Sequence, residues 1–179
     1  SVLTSTGVGG SAQGGAYYCQ DATATTTFNN TNVSNNSANI VNGTGSSSAR
    51  AGGIYIFAGT VNVINGSAVN GNSSNSNTGS GLAGGIYNQQ STLNVTDSTV
   101  NGNTATDAFG GIWTLSSATP VVTNITRSSV SNNKAQGALG AGGEGECGGL
   151  CIYGLGSTTT TTITSSTISG NHAWVSDAP

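Results

Sequence analysis

Side chains able to do acid–base, nucleophilic or metal chemistry are few in this 179-residue chain, and they do not gather. The acids are Asp21, Asp97, Asp107, Glu144, Glu146 and Asp177, the bases Arg50, Arg127 and Lys134, and His172 is the single histidine. A glycosidase needs two carboxylates flanking one bond, and a polysaccharide lyase needs a Ca²⁺ site beside a basic residue. Here only Glu144 and Glu146 are close, in a Gly-rich loop. No serine or cysteine has an evident triad partner. The expectation is no enzyme, no catalytic residue, no metal and no cofactor.

The ionic pattern excludes further classes. Charged residues make up 5% of the chain and the net charge is −3, whereas nucleic-acid binding needs clustered Lys and Arg. No segment nears the ~18 apolar residues of a membrane span. The chain has no Met and starts at Ser1, which reads as processing and export, so the expected location is secreted or cell surface.

The elements that position these residues are repeats. A Gly-Gly pair recurs five times, as Gly14-Gly15-Ala16-Tyr17, Gly52-Gly53-Ile54-Tyr55, Gly84-Gly85-Ile86-Tyr87, Gly110-Gly111-Ile112-Trp113 and Gly148-Gly149-Leu150-Cys151. Each is followed by a second motif: Val33-Ser34-Asn35-Asn36, Val69-Asn70-Gly71-Asn72, Val100-Asn101-Gly102-Asn103, Val130-Ser131-Asn132-Asn133 and Ile168-Ser169-Gly170-Asn171. Between them lie alternating β-branched runs such as Thr92-Leu93-Asn94-Val95-Thr96, with no 3.6-residue apolar spacing. One such run per repeat predicts an all-β parallel β-helix, a solenoid of about five coils stacked ~4.8 Å apart. The predicted boundaries are an N-terminal extension over 1–13, the solenoid over 14–173 and a tail over 174–179. Phe28, Val63, Val95, Ile125 and Ile163 should line the interior beside the Val33, Val69, Val100, Val130 and Ile168 column. Asn36, Asn72, Asn103, Asn133 and Asn171 should form a structural amide ladder. Each follows a Gly or Asn, the residue types that tolerate positive φ at a turn.

These motifs resemble the right-handed parallel β-helix repeats of the pectate-lyase-like superfamily. They are most similar to those of the chlamydial polymorphic outer membrane proteins, whose Gly-Gly-Ala-Ile and Phe-x-x-Asn motifs read here as GGIY and VNGN, with Val or Ile in place of Phe. The resemblance covers 14–173 and implies a right-handed helix. It leaves function open, because the superfamily holds lyases, adhesins, spikes and scaffolds.

Surface expectations follow from alternation. Tyr17, Tyr55, Tyr87 and Trp113 should point outward as an aromatic contact stripe. That stripe either takes surface glycans, stacks to rigidify the coil under loops at 39–51, 73–83 and 136–147, or is buried at a subunit contact. Thr25, Thr60, Thr92 and Thr160, with Thr27, Asn62, Asn94, Asn124 and Thr162, make a wet Thr/Asn face of a kind that fits ice or a crystalline polysaccharide. Asp97 and Arg127 occupy equivalent positions in adjacent coils and should form a cross-coil ion pair.

The thiols leave two readings of a disulfide. Either Cys147 pairs with Cys151 and Cys19 stays buried and free, or Cys19 of one copy meets Cys147 or Cys151 of another. Coil ends expose unpaired backbone groups, and no amphipathic capping helix fits after Ala173. The expected function is thus an extracellular structural protein, a head-to-tail homopolymer forming a filament or surface assembly. The alternatives are a monomeric adhesin or carbohydrate-binding module, then an ice-binding protein or a polysaccharide lyase.

Overall fold

Thr, Val and Ile fit an extended, half-buried backbone, and the repeated runs of these residues form the strands of a parallel β-solenoid. The computed structural model describes residues 2–8, 11–44, 47–76, 80–138 and 145–176. Among them there are strands and turns and no helix. The strands fall into five parallel sheets. An aromatic sheet comprises Tyr17–Cys19, Ile54–Ile56, Ile86–Gln89, Ile112–Ser116 and Leu150–Gly154. A threonine sheet comprises Thr25–Asn29, Thr60–Ile64, Thr92–Thr96, Val121–Thr126 and Thr159–Thr164. A valine sheet comprises Asn32–Ser34, Ala68–Asn70, Thr99–Asn101, Ser129–Ser131 and Thr167–Ser169. Five strands in a column bound four intervals, so the chain makes about four full turns.

The remaining two sheets correct the expected boundaries. Val2–Val8 and His172–Ser176 are the outer strands of a six-stranded sheet with Ser37–Thr44, Ser73–Ser76, Thr104–Ala105 and Lys134–Ala138. The 1–13 extension and the 174–179 tail therefore both contribute strands to the solenoid. Ser11–Ala12, Ser48–Ala51 and Ser80–Ala83 form a three-stranded sheet, so much of 39–51 and 73–83 is strand rather than loop; residues 139–144 lie outside the described set. The signal was weak there because the inward side chains are Ala12, Ala49, Ala51 and Ala83, all fully buried. A small residue suits a narrow cross-section but gives little hydrophobic alternation.

The core is a set of columns. Val61, Val63, Val69, Val95, Val100, Ile125 and Val130 are fully buried in one apolar cluster. Each contributes about 1.5–3 kcal/mol relative to exposure. The column pairs run in register from Phe28 through Val63, Val95 and Ile125 to Ile163.

The first repeat is shifted by one residue. Tyr17 pairs with Ile54, and Tyr18 with Tyr55. Gly15 and Ala16, not Gly14 and Gly15, thus occupy the Gly-Gly position. Tyr17 turns inward and packs edge-on against Phe28, ring centroids 5.4 Å apart, over one end of the core.

Candidate functional site

The amide ladder forms as expected, and its direction is uniform. The Nδ2 atoms of Asn36, Asn72, Asn103 and Asn133 donate to Oδ1 of the next asparagine at 3.0, 3.0, 2.9 and 2.9 Å. The same Oδ1 atoms accept the backbone N–H of the preceding asparagine at 2.9–3.0 Å. The second Nδ2 hydrogen reaches back to a valine carbonyl, for example from Asn103 to Val69 O at 2.8 Å. Asn35, Gly71, Gly102, Asn132 and Gly170, just before each ladder residue, all have positive φ.

The two sequence motifs turn out to touch. A Cβ on Gly85 would lie 2.6 Å from Gly111 O and 3.0 Å from Asn103 Nδ2. A Cβ on Gly84 would lie 2.4 Å from Gly110 O and 2.5 Å from Thr104 O. These glycines are required for close approach of rung to rung and corner to ladder. Positive φ is not the reason.

A second polar column was missed. Ser67, Ser98 and Ser128 are buried and, with Ser166, bond between rungs. Ser98 N donates to Ser128 Oγ at 3.1 Å and Ser128 N to Ser166 Oγ at 3.0 Å. The signal was a serine two residues before the column Val or Ile in four repeats. It was hidden by the abundance of serine.

The aromatic column is a covered stack, the rigidifying alternative among those expected for it, and not an open contact surface. It runs Tyr18, Tyr55, Tyr87, Trp113, so Tyr17 is not a member. Centroids are 5.0, 4.8 and 4.1 Å apart with planes within 20°. Ala51, Ala83 and Phe109 cover it, leaving Tyr55 at 0% and Tyr87 at 3% exposure. Burial pushes the Tyr87 hydroxyl well above the ordinary phenol range. Tyr55 Oη donates to Gln89 Oε1 at 2.8 Å and accepts from Arg50 at 3.0 Å. Tyr55 and Tyr87, stacked on both faces, have no face left for a sugar, whereas Tyr18 at the end of the column is stacked on one face and exposed.

The described acids divide: Asp107 and Glu146 line one cavity with Phe109, Trp113 and Tyr153, while Asp21 and Asp97 lie elsewhere. Asp97 and Arg127 form the expected pair, with Nε and Nη2 each 2.7 Å from a carboxylate oxygen. Glu144 and Asp177 lie outside the described residues. Among the described residues no three His, Cys, Asp or Glu side chains gather to hold a metal. The hydrogen bonds from Arg127 hold the Asp97 carboxyl below the usual carboxylate range. A depressed folded pKa gives stability that is present above the unfolded value and fades as pH falls through the folded one. With both partners well exposed, the global effect is small. An NMR titration of Asp97 should show a lowered midpoint that rises in Arg127→Ala; an unchanged midpoint would remove the pair's influence in solution.

The threonine sheet carries the Thr/Asn face in register, with Val122 interrupting the Thr column. Its amides bond along the column, Asn124 to Asn94 and Asn94 to Asn62, both at 2.8 Å.

The fifth rung has a different surface. Val95, Ile125, Val100 and Val130 are fully buried, whereas their column mates Ile163 and Ile168 are 45% and 42% exposed. Ile152 is 46% exposed beside them. In the same rung Thr161 Oγ1 is buried without a hydrogen-bond partner.

The cysteines separate. Cys19 is buried in the core and its register runs through Ile56, Asn88 and Thr114 to Ile152. An in-register stack of copies therefore sets Cys19 over Ile152, with its side chain inward. Cys151 lies in the next, outward column, so within the sheet the Cys19 column and the Cys151 column face opposite sides.

Compared with family models, curated proteins and solved structures, the chain matches none of them.

Proposed function

We propose that this chain is an extracellular, non-catalytic structural protein, and that it self-associates by docking the first rung of a second copy on its fifth rung. The observation that carries this reading is the exposed run of core-type side chains Ile152, Ile163 and Ile168. A fitting occupant presents the same columns. The first rung does, with Tyr17, Phe28 and Val33 in the Leu150, Ile163 and Ile168 columns. It also places Thr26 in the column of Thr161, offering a hydroxyl to the unpartnered one. The contact joins unlike surfaces and so propagates into a filament. Backbone edges and apolar columns then continue across copies, as between rungs of one chain.

The six-stranded sheet adds a condition. His172–Ser176 lies one rung beyond the five-stranded sheets, where Val2–Val8 of an incoming copy would lie. One of these two strands gives way when copies stack. Export and the likeness to β-helix surface repeats, including their right-handed winding, belong to the same proposal. The scarcity of charge and the extensive bonding among side-chain amides support a scaffold role.

Ile163→Asp with Ile168→Asp, changing only the exposed face, should convert concentration-dependent polymers to monomers in sedimentation and electron microscopy, with the circular-dichroism spectrum retained. Wild-type chain that stays monomeric at high concentration, or a double variant that polymerises equally well, would sink the reading.

A further inference from the structure

The fifth rung differs from the others at one corner. In the second, third and fourth rungs the position four residues before the stacked aromatic is Ala51, Ala83 or Phe109, and that pair of positions packs together outside the main core. In the fourth rung the two side chains are Phe109 and Trp113, with ring centroids 4.3 Å apart. Cys147 and Cys151 hold these two positions in the fifth rung, Cys147 paired with Phe109 and Cys151 with Trp113. The fold thus aims two thiols at each other across the Gly148-Gly149 corner, where the second, third and fourth rungs aim apolar side chains. Both thiols are half-exposed.

We propose that Cys147 and Cys151 are a reactive dithiol that exchanges with small-molecule disulfides and closes into an intramolecular disulfide. The Cys147 thiolate attacks one sulfur of an external disulfide, forming a mixed disulfide and releasing one external thiolate. Cys151 gives its proton to solvent and attacks the Cys147 sulfur, releasing the second. Two protein thiols and one external disulfide become one protein disulfide and two external thiols, so the external disulfide is the oxidant and the electrons balance.

The order of attack follows from the surroundings. The hydrogen bond from the Cys151 thiol, helped by the Gly149 N–H, holds Cys147 down to about 7, against the opposing effects of partial burial and of the Glu146 carboxylate. When protonated, Cys147 turns its hydrogen to Leu150 O, 3.0 Å away. The same thiol–thiol contact, reinforced by burial, pushes Cys151 far up. Once Cys147 is in a mixed disulfide its negative charge is gone, which frees Cys151 to ionise and resolve. Cys19 takes no part, because it is buried on the inward side at the opposite end of the columns. The site does not depend on the proposed stacking, since it lies on an outward corner of a single chain.

Folded chain is incubated with oxidised glutathione, residual thiols are blocked by alkylation, and peptides are mapped by mass spectrometry. The expected result is a Cys147–Cys151 link within one chain, with Cys19 alkylated only after unfolding. Cys151→Ser should stop at a glutathione adduct on Cys147, and Cys147→Ser, which removes the contact that suppresses Cys151, should take up one adduct on Cys151; in wild type, acid quenching before closure should find the first adduct on Cys147. Circular dichroism confirms that both variants fold, and the wild-type link is an independent readout. Wild type in which both thiols stay alkylatable, or in which the disulfide joins two chains, overturns the site. A first wild-type adduct on Cys151 overturns the assignment of Cys147 as the attacking thiol.

Discussion

Asn103→Ala is expected to lower unfolding free energy by about 3–5 kcal/mol, a large fraction of a typical domain's total. The side chain has no exposure and makes four hydrogen bonds. Its Oδ1 accepts from Asn72 N and Asn72 Nδ2, and its Nδ2 donates to Val69 O and Asn133 Oδ1. Alanine strands the two Asn72 donors away from water, each costing roughly 1–3 kcal/mol, and leaves a small void. Asn171→Ala, at the half-exposed last position of the ladder, should cost only about 1 kcal/mol, because water replaces the lost partner.

Asn103→Asp tests the same geometry through charge. The carboxylate would put an acceptor against Val69 O and Asn133 Oδ1, so burial and these acceptors raise its folded pKa above the unfolded one. A raised carboxyl pKa destabilises above the unfolded value and the loss shrinks as pH falls. The deficit against wild type should therefore be larger at neutral pH than in mild acid, where the protonated acid can donate one bond. Urea titrations at the two pH values measure this. Equal losses at positions 103 and 171, or an aspartate deficit indifferent to pH, would count against a ladder that bears on stability.

Gly84→Ala should be comparably damaging, at least about 3 kcal/mol, with failure to fold as the extreme result. Its Cβ would sit 2.4–2.6 Å from Gly110 O, Thr104 O and Thr104 C. All three are backbone atoms of the next rung, so relief requires moving a rung. Gly102→Ala is the control. Its φ is +64° and no atom lies within 4 Å of the added Cβ, so only the left-handed backbone penalty of about 1–2 kcal/mol applies. Both substitutions restrict the unfolded chain alike, and their difference isolates the steric contribution. Gly102→Asn should be milder still, since Asn35 and Asn132 adopt positive φ at the equivalent turn. Unfolding midpoints of the three variants decide the matter; a Gly84→Ala loss no greater than that of Gly102→Ala would mean the rungs are farther apart than described.

Much of the solenoid was legible because it repeats. The Val–Asn motif set the registered column from Val33 to Ile168, the positive-φ turn and the ladder from one local pattern. The Asp97–Arg127 pair was legible for the same reason, since equivalent positions in adjacent repeats become neighbours at one rung spacing. The first Gly-Gly pair misled because Gly15-Ala16 does the same work with a different spelling. That shift moved Tyr17 from the stripe into the core and replaced it with Tyr18. The strands over 37–44, 48–51 and 80–83 were obscured because inward alanines carry almost no apolar signal.

The sequence by itself therefore determined the β architecture, the five-strand stacking of the sheets that carry the motifs, and the asparagines and the Asp97–Arg127 pair that bond along the stack. These depend on side-chain period and on repetition, both local to a rung. Only the tertiary structure decided what covers each outward column. Alternation says that Tyr55, Tyr87 and Trp113 leave the main core, but not that Ala51, Ala83 and Phe109 close over them. It says that Cys151 continues their column, but not that Cys147 meets it across a corner while Cys19 faces inward over the Ile152 column. Such facts depend on how residues from adjoining sides of the coil pack beside a sheet, and a two-residue period carries no information about that.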